Sequence, residues 1–110
     1  MSTLSNPSSL SDTGTFATPH AAKYLRQLCK HFAHKTEVTQ DDSTPDAPTA
    51  AIRFDFGTAH LTTSADMFTA QVAATDTATL TKMRFVIDKH LERFAFREDF
   101  TTLTWQTPAS

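Results

Sequence analysis

The feature that most limits what this chain can become is a change of period. Leu25, Leu28, Cys29 and Phe32 recur at helical spacing, and so do Leu80, Met83, Val86, Ile87, Leu91 and Phe94. Between these stretches the apolar repeat shortens to two, the spacing of a strand with one face toward a core. A helix with one apolar stripe must cover it with another element, and alternating strands leave one sheet face in water. Two helices on one face of an antiparallel sheet satisfy both demands. The expected fold is α+β, a two-layer sandwich.

Punctuation residues place the elements. The first helix is expected over Pro19–His34, with Thr18 as its N-cap and Pro19 at the first helical position, where its missing N–H costs nothing. The second is expected over Thr77–Ala95, capped by Asp76. Thr36, Val38 and Gln40 alternate against Glu37 and Thr39 in a strand over Lys35–Gln40. Ile52, Phe54 and Phe56 then share one face against Arg53 and Asp55, and Gly57 marks a bulge or tight turn before Ala59 and Leu61. Phe68, Ala70, Val72 and Ala74 form the next alternation, and Leu103 and Trp105 sit in a last strand. The order is helix, three-strand meander, helix, strand. That makes a sheet of about four strands, with an extra N-terminal strand at Thr15–Ala17 as an option. Asp41–Thr49, with two prolines and three aspartates, reads as an exposed loop. Residues 1–13 are too poor in apolar surface to offset ordering and read as a flexible tail, leaving one domain over 14–107.

Charge and cysteine usage then exclude broad classes. A net charge of -2 argues against nucleic acid as partner, since phosphate neutralisation needs a cationic surplus. No apolar run approaches the roughly 20 residues that span a bilayer, and Met1–Pro7 has neither the basic start nor the apolar core of a signal peptide. Cys29, the single cysteine, fits a reducing compartment. A cytoplasmic domain without membrane or nucleic-acid partners is expected.

Projected at about 100° per residue, the first helix has three faces. Besides the apolar stripe, one carries Lys23, Arg26 and Lys30, and another aligns His20, Tyr24, Gln27, His31 and His34. No acidic residue occurs from Thr13 through Thr36. Such a surface can bind an anionic small molecule or a protein partner through Lys23, Tyr24, Lys30, His31, His34 and Arg93. The plainer reading is a solvated face whose imidazoles flank the core. His31 and His34, three apart, could also present nitrogens to one metal ion, with His60, His90 or an acid as third ligand. No complete ligand set is visible, so no cofactor is expected; metal or haem at His31, His34 and His90 is the alternative.

Other residues read structurally. Cys29 lies on the apolar stripe as a small hydrophobe, and no partner completes a nucleophile–base constellation around it. His90 projects between Met83, Val86 and Phe94, where it would pin a strand or the other helix. Phe85 and Phe96 project to the far side, which suggests a homodimer surface, unless the helix ends early and returns Phe96 to the core. Gly57 and Trp105 are expected to serve the fold. Nine of the ten Lys and Arg residues fall within 23–35 or 82–97, so helices side by side would share a basic surface.

Several runs resemble a bacterial family known as domain of unknown function 2218. They are Thr18-Pro19-His20-Ala21, Tyr24-Leu25, Leu28-Cys29-Lys30-His31-Phe32-Ala33-His34-Lys35, Phe54-Asp55-Phe56-Gly57 and His90-Leu91-Glu92-Arg93-Phe94-Ala95-Phe96-Arg97-Glu98, with Trp105 near the end. The likeness covers about residues 14–106. The resemblance implies a small bacterial domain with no established activity and an association with siderophore-interacting and iron-uptake proteins. It supplies no catalytic residues. The reading is a non-enzymatic binding or accessory domain, linked through an anionic ligand or protein partner to iron or siderophore uptake. The alternatives are a metal- or haem-binding protein using the helix histidines, and a small enzyme of unidentified type.

Overall fold

Phe68, Ala70, Val72 and Ala74 are buried while Gln71 between them is exposed, and this alternation organises the sheet. The computed structural model describes residues 10–44, 46–98, 100 and 102–106. In chain order the elements are β1 (Leu10–Ala17), α1 (Ala21–Phe32), β2 (Glu37–Asp41), β3 (Thr49–Phe54), β4 (Gly57–Thr63) and β5 (Met67–Ala74). They are followed by α2 (Thr77–Ala95), a 3₁₀ turn (Phe96–Glu98) and β6 (Thr104–Trp105).

The fold is α+β, with two helices on an antiparallel sheet. The sheet has six strands, in the order β2-β3-β4-β5-β1-β6, where about four were expected. Two misread segments account for the difference. Gly57 is a tight turn: it pairs with Phe54 across the two-residue connection Asp55-Phe56 and divides one expected strand into β3 and β4. A Cβ on Gly57 would lie 2.5 Å from the Ala73 carbonyl oxygen, so neighbouring backbone demands glycine there. Phe56 therefore leaves the strand, stacks on Phe54 at 5.3 Å and receives Lys82 Nζ over its ring at 4.2 Å.

The second segment is β1. It runs from Leu10, within the stretch read as a tail, through the optional Thr15–Ala17 strand, and lies between β5 and β6. Residues 1–9 of that expected tail lie outside the described residues. β1 escapes the periodicity test because its core-facing positions include Asp12 and Gly14. Asp12 stands opposite Val72, its side chain fully buried, and accepts from Arg84 Nε at 2.7 Å and from the Thr13 N–H at 2.8 Å. A Cβ on Gly14 would come within 2.8 Å of the Trp105 ring. Trp105 in turn donates from Nε1 to Asp88 at 3.1 Å, and Asp88 also accepts from Leu103 N and Thr102 Oγ1. This carboxylate clasps β6 to α2.

Register assigns the faces. Ile52, Ala59, Val72 and Asp12 form one cross-strand row on the buried side, and Ala51, His60, Gln71 and Thr13 form a row on the open side. α1 packs against β2 to β5 and α2 against β1, β4 and β5, with the helices also in mutual contact. Their stripes join the buried strand residues in one core cluster. Among the described residues, no helix is long and apolar enough to cross a membrane.

α2 keeps its expected bounds and cap: Asp76 Oδ1 accepts the Thr79 N–H at 2.7 Å, which holds its carboxyl below the usual range. α1 is shorter than expected at both ends. Thr18 is not its cap; His20 occupies that position without a side-chain bond. Thr18 Oγ1 accepts the His20 N–H at 3.1 Å and donates to Glu98 at 3.0 Å, so a threonine turn leads into the helix. At the other end the Phe32 carbonyl accepts from the Lys35 N–H, and from both the N–H and the hydroxyl of Thr36. His34 thus lies past the last helical turn. The acidic loop keeps Pro48 buried, and its Asp42 pairs with Arg26 at 3.2 Å.

Candidate functional site

The α1 face read as solvated is the seam between the two helices. Tyr24 is buried, Gln27 half-buried, and His31 lies against α2, with ring centres 4.7 Å from His90 and 6.4 Å from Phe94. His20 and His34 flank the helix at either end of the seam. The expected ligand-binding residues are consequently divided. His31, His34 and His90 line one cleft, Lys23, Tyr24 and Arg93 line another, and Lys30 is exposed and lines neither.

The histidine cleft, of about 730 Å³, opens where α1 ends and the β3–β4 turn comes up beside it. Phe32, Phe54 and Phe56 line its apolar part, Phe32 standing edge-on to Phe54 at 5.2 Å. Lys35, Glu37, Arg53 and Asp55 complete it. These two cations and two carboxylates cancel, so the sign of the cleft follows the protonation of its histidines.

His90 Nδ1 lies 2.7 Å from the Val86 carbonyl oxygen. A carbonyl only accepts, so Nδ1 carries a proton, and Nε2 is the ring nitrogen this bond leaves over. The expected pin to a strand or the other helix is thus a bond within α2; against α1 the ring makes contacts, with Phe32 at 4.7 Å and with His31. Burial first, and then the positive charge of His90, Arg93, Lys35 and His34, holds the His31 imidazole below its usual pKa. His60, once a third-ligand option, is exposed on the open sheet face and cannot join. Among the described residues, no group of three His, Cys, Asp or Glu side chains is arranged to hold a metal ion.

The second cleft, about 480 Å³, lies at the other end of the seam. Tyr24 donates its hydroxyl to Glu98, which also accepts from Thr18. Burial, the hydrogen bond and the charge of Glu98 push the phenol up to about 12. The Gln27 Oε1 atom, buried here, has no hydrogen-bond partner among the described residues. Periodicity could not foresee Glu98, because it reaches Thr18 and Tyr24 from a turn 74 positions beyond the tyrosine.

Cys29 is buried in the core, and desolvation, with the charge of Asp42, pushes its thiol up to about 11. It is protonated at neutral pH and packs as a small apolar group. α2 does end at Ala95, yet Phe96 does not return to the core: it remains 60% exposed, and Phe85 61% exposed.

A family model described as "Uncharacterized protein conserved in bacteria (DUF2218)" matches residues 13–106. The chain is similar to the NMR structure of PA4090 from Pseudomonas aeruginosa, with 31% sequence identity and a TM-score of 0.69, over 91% of this chain and 98% of that one. No curated protein matches.

Proposed function

The chain belongs to this family of uncharacterised bacterial proteins, and we propose that it is a non-enzymatic binding or accessory domain whose histidine cleft takes an anionic ligand with a flat apolar body. The observation that carries this reading is the convergence of His31, His34 and His90 beside Phe32, Phe54 and Phe56 in one cleft whose fixed charges cancel. Aromatic walls recognise a flat body, and imidazoles recognise charge at the pH they are tuned to. Burial, and then its cationic neighbours, hold the His31 imidazole below its usual pKa. A bound anion reverses that field, raises the imidazole pKa and draws in a proton, so binding tightens as pH falls.

Anionic aromatic chelators of iron belong to this ligand class, which carries the link to siderophore uptake as part of the proposal. The lone buried thiol of Cys29 supports a reducing, cytoplasmic setting. Titration calorimetry with 2,3-dihydroxybenzoate and its ferric chelate, at pH 6 and pH 8, tests the reading. Affinity several-fold tighter at the lower pH, and lost on replacing His31 and His34 together, supports it. Affinity indifferent to pH and to those replacements overturns it.

One observation favours a second reading. A ring whose Nδ1–H is held by a carbonyl, leaving Nε2 free, is the arrangement of a metal-bound imidazole, and His31 stands beside His90. Elemental analysis and a visible spectrum, after offering zinc, iron and haem, test it. Retention lost in the His31→Ala, His90→Ala double variant supports this reading; retention that survives excludes it.

A further inference from the structure

The two clefts are joined by a groove of about 660 Å³ along α2, and its lining indicates what lies in it. The groove shares His90 with the histidine cleft, and Arg93 and Phe96 with the cleft beside Tyr24. The groove and the cleft beside Tyr24, which share two residues, form one trough along the helix pair. We infer that this trough docks an extended acidic segment of a partner protein, a proposal independent of any ligand in the histidine cleft.

Charge is the first argument. Lys23, Arg93 and Arg97 line the trough, and none has an ion-pair partner among the described residues. Against them and Lys89 stand two acids: Glu92, 3.5 Å from Lys89 Nζ, and Glu98, which accepts from the neutral hydroxyls of Tyr24 and Thr18 and keeps its charge. A chain of net charge -2 therefore carries here a strip with two more cations than carboxylates.

Shape is the second. Phe85 and Phe96 are each about three-fifths exposed, with Arg93 between them in sequence. Their separation along α2 is roughly 16 Å at the helical rise, which an extended segment spans in about five residues. A second copy of the chain fits poorly, because a two-fold contact across this face would bring together two surfaces with the same excess of positive charge. Nucleic acid is disfavoured by the net charge.

The test uses the full chain and fluorescein-labelled peptides of the pattern Leu-Glu-Glu-Asp-Glu-Leu, their Gln/Asn twins, and an array that varies the leucine spacing. We expect the acidic peptides to bind best near a five-residue spacing, with a steep loss on adding salt. Arg93→Glu and Phe96→Ser, both at exposed positions, should weaken binding at least tenfold while leaving the thermal midpoint unchanged. Binding of the Gln/Asn twins with equal affinity, or no binding across the array, overturns the proposal. So does a dimer in sedimentation equilibrium that the same variants dissolve, or tighter binding of a single-stranded oligonucleotide.

Discussion

Two ends of one helix–helix seam handle polar side chains in opposite ways. At the start of α1, Glu98 gathers the hydroxyls of Tyr24 and Thr18, and Thr18 also holds the His20 N–H. Most of the hydrogen-bonding capacity there is spent inside the molecule. Beyond the end of α1, three imidazoles face one cleft, and the described bonds engage only His90 Nδ1. Both ends lie along the same helix pair, so the pairing of the helices does not make the difference. What differs is whether a partner from elsewhere in the chain has come to close the polar groups off. A closed cluster maintains the fold, whereas an open one keeps its chemistry for something outside.

The sharpest way to break that comparison is to open a closed cluster. Asp12 with Arg84 is the most closed of all, and Asp12→Ala strands a largely buried guanidinium. Urea unfolding should show a loss of about 3–5 kcal/mol; a loss under 1 kcal/mol would mean the pair is not closed. Glu98→Ala removes the acceptor for two hydroxyls at once and should cost about 2–3 kcal/mol by the same measurement. Tyr24→Phe removes one hydroxyl and should cost about 1 kcal/mol.

Tyr24 also gives the closed end its own pH signature. Its folded pKa, about 12, lies above the ordinary 10, so its stabilisation is complete below pH 10 and is lost as pH rises toward 12. Alkaline unfolding scans of wild type and Tyr24→Phe should diverge in that window. The open end has the opposite sign. The folded pKa of His31 lies below its usual 6.5, so its contribution is present above that value and fades as pH falls through the folded pKa. The thermal midpoint should therefore drop below pH 6.5, and His31→Gln should flatten the drop. At the small end of the scale, His34→Ala should leave stability within about 0.5 kcal/mol while weakening the anionic ligand in calorimetry.

How much of this was legible follows from what kind of pattern each part makes. α2 could be read from Asp76 to Ala95 because its cap and stripe are both local. The buried stripe of α1 could be read for the same reason. β1 could not, since the Asp12 and Gly14 on its inward face are explained only by Arg84 and Trp105, far along the chain. The candidate site was half legible. His31 and His34 could be singled out from their spacing and His90 from its place on the α2 stripe, yet the projection of the first helix treated His20 and His34 as helical, and no projection shows which polar face another helix will cover. Glu98, Arg53 and the aromatic walls are products of tertiary structure.

The most direct test of the account follows all five imidazoles at once, by two-dimensional ¹H–¹⁵N NMR of the histidine rings during a titration with 2,3-dihydroxybenzoate. His20 reports on the closed end, His60 on the open sheet face, and His31, His34 and His90 on the cleft. Saturable shifts of His31, His34 and His90 toward the protonated form are expected, with His20 and His60 still. Shifts at His20, or none at the three cleft histidines, would contradict the account.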